Sequence, residues 1–241
     1  MNKIIAATLL TLVLPFTVNA AIALDNSGVS ATTAGNSVLA PITTSGSNEL
    51  IVACSFDTNT NRGNMSATVD GNAMTWIANS QQASTDANQM QMFYYVGATS
   101  SAHTITVSTA ASGGNLWVLG LSYNGVAQVG QPDNIASTTH DSQPQPDSTT
   151  LNIKTDNSWE VMCARAQGTV LAGGTGTKDR ITVNQFNSFD SNGPLASGNN
   201  TMFINYPLTT LPANIGTMEA SFKPFVAVNS SVPNNQAILF Q

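Results

Sequence analysis

The sequence predicts an all-β fold: a two-sheet antiparallel sandwich, jelly-roll-like, with little helix. Three observations favour it. Short runs of alternating apolar and polar residues recur along the chain, as in strands that bury one face. Gly, Asn, Asp and Ser separate these runs, and no segment after residue 20 shows strong helical periodicity. About a dozen strands over roughly 200 residues is a normal size for one sandwich domain.

Each strand prediction rests on the local pattern. Residues 89–97 and 103–109 alternate, which predicts one buried face, whereas residues 115–123 are apolar on both faces and indicate a covered central strand. The Asp70-Gly71 pair between two apolar runs predicts a type I′ hairpin. The predicted strands are 37–42, 49–56, 65–70, 73–78, 89–97, 103–109, 115–123, 149–155, 158–166, 181–186, 201–206 and 216–223.

The domain organisation follows from changes in composition. Residues 1–20 are predicted to be a signal peptide, residues 21–224 a single β-sandwich domain, and residues 225–241 a C-terminal extension with two short strands. The Pro-, Ser- and Thr-rich segment Val129–Ser148 is interpreted as a long loop that crosses between sheets. A linker between two smaller β units is the alternative.

The N-terminus has the order of a secretory signal: Lys3, an apolar run over residues 4–16, and small residues at Val18 and Ala20. The apolar run is shorter than the ~20 residues that span a bilayer, so cleavage before Ala21 is predicted rather than a permanent anchor. We therefore expect a secreted or cell-surface protein with no membrane span after cleavage.

The composition limits the partners. Charged residues are 8% of the chain, against about 25% in an average protein, and Asn, Ser and Thr make up about a third of it. Thirteen acids and seven bases give a net charge of −6. A surface of this charge repels phosphates, so nucleic acid is excluded as an expected partner.

Cys54 and Cys163 lie in predicted strands, with their side chains on the inward faces. Outside the cytoplasm they would form a disulfide that closes a loop of ~110 residues and contributes up to roughly 4–5 kcal/mol. Two separate buried thiols are the alternative.

Several segments together resemble a broad, mostly uncharacterised group of secreted β-sandwich domains of bacterial and phage surface proteins. The resemblance spans about residues 25–224 and implies a fold rather than an activity, with no catalytic residues to carry over; the tail after Pro224 departs from it. The segments are Ser47-Asn48-Glu49-Leu50-Ile51-Val52, Val69-Asp70-Gly71-Asn72-Ala73-Met74-Thr75, Met92-Phe93-Tyr94-Tyr95-Val96, Ser122-Tyr123-Asn124-Gly125-Val126-Ala127-Gln128 and Ala220-Ser221-Phe222-Lys223-Pro224.

Catalytic chemistry is not expected. The two histidines are His103, at the start of a strand, and His140, in a His-Asp-Ser tripeptide whose adjacent residues cannot form a relay. Glu160 and Glu219 lie in strands in the outward register. A hydrolase with a carboxylate pair assembled from loops is the least expected of three functions considered for this sequence. We predict no enzyme, no cofactor and no metal-ligand set; calcium held by distant loops stays open.

Trp76, with Asn72 and Asn79 nearby, is the candidate for carbohydrate binding, because one strand register places its indole outward beside these amides. The alternative is that Trp76 packs on a sheet edge. Trp117 and Trp159 lie in runs typical of a core. A carbohydrate-binding module, with a glycan as partner, is the second function expected from the sequence.

The function most expected from the sequence is that of a structural or adhesive subunit at the cell or virion exterior. Such a subunit self-associates or binds a surface partner. Sheet edges have unpaired backbone groups, and the few lysines here do little to block strand addition. Two segments could supply a strand to a filament: residues 21–24 and the apolar tail Ala237, Ile238, Leu239 and Phe240. Both segments folding back onto their own domain is the alternative.

Overall fold

The computed structural model describes residues 17–32, 35–58, 64–81, 89–141, 147–207 and 214–228. These residues form strands in antiparallel sheets, and no helix is found among them, which confirms the predicted all-β class. In the part of the chain that is described, no helix is long and apolar enough to cross a membrane.

The strands divide into two consecutive sets. The first set is β1 (Thr17–Asn19), β2 (Ala23–Thr32), β3 (Ser37–Thr43), β4 (Glu49–Thr58), β5 (Ser66–Val69), β6 (Asn72–Ala73), β7 (Thr75–Gln81), β8 (Gln89–Ala98), β9 (Ala102–Ser108) and β10 (Asn115–Asn124). The second set is β11 (Asn134–Asp141), β12 (Asp147–Ile153), β13 (Trp159–Ala166), β14 (Ala172–Gly173), β15 (Lys178–Val183), β16 (Phe186–Asp190), β17 (Gly198–Asn205), β18 (Asn214–Phe222) and β19 (Val226–Val228).

The strand order of the first half recurs in the second half. Sheet 1 has the order β3-β9-β5-β6 and sheet 2 the order β2-β10-β4-β8-β7. Sheet 3, β11-β18-β13-β16-β15, repeats sheet 2 strand for strand, and sheet 4, β12-β17-β14, repeats sheet 1 with β14 in place of β5 and β6. The chain is thus built from two copies of one topological unit, with more sheets than the two expected.

Three apolar cores lie between these sheets and give the stacking order 1-2-3-4. Ile105 of β9 and Phe93 of β8 belong to the core between sheets 1 and 2. The core between sheets 2 and 3 contains Phe56 and Phe222, and Met202 of β17 belongs to the core between sheets 3 and 4. Central sheets 2 and 3 are therefore covered on both faces, which explains the doubly apolar sequence of β10.

The N-terminal segment pairs within its own chain. Ile22 is buried in the core between sheets 2 and 3, and β2 pairs with β10, so residues 21–24 do not act as a strand donor in this structure. Thr17–Asn19, the end of the predicted signal peptide, pairs with β19. Residues 1–16 lie outside the described residues.

Two local predictions are wrong. Val129–Ser148 is not a continuous loop, because β11 occupies Asn134–Asp141 and β12 begins at Asp147. Threonine suits a pleated edge strand even where few residues are apolar, which a search for hydrophobic runs misses. The predicted strand 181–186 is two strands, β15 and β16, joined by a turn at Asn184, which has a φ of 54°.

The Asp70-Gly71 hairpin is confirmed. Asp70 and Gly71 have φ values of 49° and 83°, and β5 pairs with β6 on either side of them. Positive φ at both central positions is the requirement of a type I′ turn, which Asp-Gly satisfies at low steric cost.

Candidate binding cleft between the halves

The two halves meet through sheets 2 and 3 and are covalently joined there. A disulfide connects Cys54 of β4 to Cys163 of β13. Both residues are fully buried in the core between sheets 2 and 3, called the shared core below. A buried polar network adds a second connection: the Tyr123 hydroxyl donates to Asp190 over 3.0 Å, and Arg180 Nε donates to the same carboxylate oxygen over 2.6 Å. These contacts fix the two halves relative to each other.

A cleft of about 490 Å³ opens at one end of this junction. Such a volume falls within the ~300–1,000 Å³ of typical ligand sites, which often lie between domains. One wall comes from the first half and the other from the second. The lining residues are Thr58, Asn115, Trp117, Gly168, Thr169, Val170, Asn184, Gln185 and Phe186.

The apolar part of the cleft is formed by two aromatic rings. Trp117 continues on β10 the face of Leu119 and Leu121 toward sheet 3, but it lies near the start of the strand and is only half-buried. Its ring centroid is 5.4 Å from that of buried Phe186. The Arg165 guanidinium, which is buried, lies 5.8 Å from the Phe186 centroid.

The polar part consists of amides and hydroxyls. Gln185 accepts a hydrogen bond from the Gly168 backbone over 3.3 Å, and Ala166 N–H donates to the Gln185 carbonyl over 3.1 Å, which ties the two second-half loops together. Within the described residues, the side-chain amides of Asn115 and Asn184 have no hydrogen-bond partner. Each offers two donors and an acceptor to a ligand.

Trp76, the sequence-predicted binding residue, points outward and is 49% exposed on edge strand β7. It is not part of the cleft lining. Asn72 is exposed and lines a smaller cavity of about 160 Å³ with Tyr95. The side chain of Asn79 lies outside the described residues. Trp117 is the tryptophan that lines the cleft. The sequence suggested a core position for it because both faces of β10 are apolar.

His103 lies between two hydrogen-bond acceptors that favour its protonated form. Its Nδ1 lies 2.6 Å from Asp70 Oδ2, and its Nε2 lies 2.7 Å from the Thr99 carbonyl oxygen. Both partners are acceptors, so both nitrogens donate. Burial lowers the pKa of His103, but the bonds to Asp70 and Thr99 and the nearby carboxylate charges outweigh it and raise the pKa. An imidazolium donating at both nitrogens cannot serve as a base for Ser101 or Thr44, whose hydroxyls lie within 3.2 Å.

Glu160 and Glu219 do face away from the shared core, as the alternation predicts, but sheet 4 covers them and both are buried. Asn200 Nδ2 of β17 donates to Glu160 Oε2 over 2.5 Å. Burial raises the pKa of Glu160 to about 7, and burial with the Glu160 charge raises the pKa of Glu219 to about 10. The pair lies between packed sheets and has no access to a substrate.

Other sequence predictions lie outside the described part of the structure, among them the side chain of His140 and the donor residues 237–240. Among the described residues, no group of three or more His, Cys, Asp or Glu side chains is arranged to hold a metal ion.

Neither a known protein-family model nor a curated protein matches the chain. The resemblance to secreted β-sandwich domains therefore stays a prediction.

Proposed function

We propose that this protein is an exported, non-enzymatic structural or adhesive subunit of the cell or virion exterior. The observation that carries the proposal is the disulfide between Cys54 and Cys163, whose residues are 109 positions apart. Stable disulfides form in oxidising compartments, and this one joins the central strands of the two facing sheets. A cross-linked stack of sheets suits a building block exposed to mechanical and proteolytic stress.

The contacts of His103, Glu160 and Glu219 within the fold support a role without catalysis. His103 donates to two fixed acceptors, and Glu160 and Glu219 are enclosed between sheets. Assembly by strand addition is supported by β7, an edge strand whose sequence, Thr-Trp-Ile-Ala-Asn-Ser-Gln, contains neither charge nor proline. Lysine and proline are the residues that normally protect such an edge.

The test is electron microscopy of the exported protein with intact-mass spectrometry under non-reducing conditions. We expect filaments or regular multimers, a mature N-terminus at Ala21, and a mass two hydrogens below that of the dithiol. A retained Met1 together with free thiols would contradict export, and a monodisperse monomer without a surface partner would contradict the structural and adhesive roles.

Carbohydrate binding is the second candidate function, and the cleft beside Trp117 is the observation that favours it.

A further inference from the structure

We infer that the cleft beside Trp117 binds a neutral oligosaccharide. The inference deepens the adhesive part of the proposed function and rests on it, since it names the chemistry of the surface partner. Three properties of the cleft support it: the charge of its lining, its surface chemistry and the rigidity of its walls.

The described lining carries no ionisable group and so favours an uncharged ligand. Among the described residues its side chains are threonine, asparagine, glutamine, valine, tryptophan and phenylalanine, with one glycine. A phosphate, a sulfated glycan or a free amino acid would lose hydration on entry and gain no opposite charge from these side chains. A neutral ligand carries no such cost.

The lining also fits a sugar better than a purely apolar molecule. A pyranose ring has C–H faces that pack against an indole and an equatorial rim of hydroxyls that needs donors and acceptors. Trp117 supplies the aromatic surface. The side-chain amides of Asn115 and Asn184, which have no hydrogen-bond partner among the described residues, stand on opposite walls of the cleft. An apolar ligand would leave these amides unpaired, which is costly on binding.

The walls are held before any ligand arrives. Asn115 faces Thr58 in the β4–β10 ladder, while Asn184 belongs to the tight turn between β15 and β16. The Cys54–Cys163 disulfide joins the two sheets that carry them. A preformed site avoids the ordering cost that weakens binding by mobile loops.

The experiment is isothermal titration calorimetry of the mature protein with neutral hexasaccharides of glucose, mannose and N-acetylglucosamine. A sulfated oligosaccharide and an uncharged peptide serve as comparison ligands. We expect saturable binding of at least one neutral saccharide and none of the other two. Binding of the peptide or the sulfated ligand instead would overturn the inference. So would the absence of binding by all three neutral hexasaccharides.

The variants locate the site. Asn115→Ala and Asn184→Gly should each weaken binding roughly three- to tenfold, as expected for one lost hydrogen bond. Glycine keeps the positive φ of 54° at position 184, and Asn157→Gly, at φ 63° in an exposed turn outside the cleft, is the matched control. Trp117→Ala should abolish binding, but it also removes packing on Phe186, so the two amide variants decide the outcome.

Trp76→Ala should leave binding unchanged. If Trp76→Ala removes saccharide binding while the amide variants retain it, the site is on β7 and the inference is wrong. Failure of the inference is distinguishable from failure of the proposed function, because filaments or multimers seen by electron microscopy do not depend on the cleft.

Discussion

Cys54 and Cys163, which form the disulfide, occupy equivalent positions in equivalent strands. Each lies two residues after a valine, Val52 in β4 and Val161 in β13. These strands hold the same place in the repeated strand orders of sheets 2 and 3. The two units therefore meet through the same face, as the subunits of a two-fold symmetric dimer do.

Removing this connection should cost stability. For the double variant Cys54→Ala/Cys163→Ala we expect the free energy of unfolding to fall by about 3–5 kcal/mol, because the closed loop of 109 positions no longer restricts the unfolded chain. Urea denaturation followed by tryptophan fluorescence measures the change. The folded wild type should resist mild reductant because both cysteines are fully buried; equal stabilities of variant and wild type would contradict the prediction.

The Glu160 and Glu219 pair should make the protein less stable as pH rises. Both folded-state pKa values are above the ordinary 4.5, so the native state holds more protons than the unfolded state between pH 4.5 and about 7 for Glu160, and up to about 10 for Glu219. The free energy of unfolding therefore falls as pH rises across this range.

Glu219→Gln tests this, since the amide keeps the shape of the side chain but does not titrate. We expect a smaller loss of stability from pH 5 to pH 9 in the variant, measured by urea denaturation at each pH. Asp156→Asn is the control: Asp156 is exposed and its pKa is lowered by hydrogen bonds from Ser197, so it stays ionised over this range. Parallel pH profiles of wild type and Glu219→Gln would refute the role of the pair.

Much of the fold follows from period-two alternation, whereas contacts between distant strands do not. The runs that became β8, β9 and β10 alternate or are wholly apolar, and their positions were predicted closely. The repeat is not visible in the sequence because the halves share few residues beyond Val-x-Cys and Ser122-Tyr123 against Ser221-Phe222. Strands tolerate such divergence because any apolar side chain of suitable size fills an inward position.

The candidate site also depends on contacts between distant strands, which local alternation does not predict. Trp117 lines the cleft because it sits where the shared core ends, next to loops 167–170 and 184–185 of the other half. Glu160 and Glu219 were placed on the correct faces, but a fourth sheet that buries them could not be predicted from their own strands. The positions of Asn115 and Asn184 in the sequence did indicate two polar residues of the cleft. Asn115 lies at a strand end and Asn184 in a turn, where amides are presented to solvent.

The His103 and Asp70 contact should be visible in solution. With its pKa raised above 6.5, His103 contributes stability that is complete below pH 6.5 and is lost as pH rises through the folded-state pKa. Asp70→Asn keeps the type I′ turn but removes the carboxylate charge, so we expect a lower His103 pKa and a loss of about 1 kcal/mol at pH 6. Proton NMR titration of the two histidines measures the pKa of His103, and the His140→Gln variant shows which signal belongs to which histidine. A His103 pKa unchanged by Asp70→Asn would contradict the contact.

Truncation tests assembly by strand addition. Deleting residues 229–241 removes the predicted donor Ala237–Phe240 but retains β19, which pairs with β1 in the full chain. We expect the truncated protein to fold with an unchanged thermal midpoint and to lose its multimers in light scattering, since the free edge no longer receives a strand. Replacing Ile238 and Leu239 with aspartate, which retains the length of the chain, should have the same effect because buried charges oppose pairing. Multimers that persist in both variants would show that the C-terminal segment is not the donor.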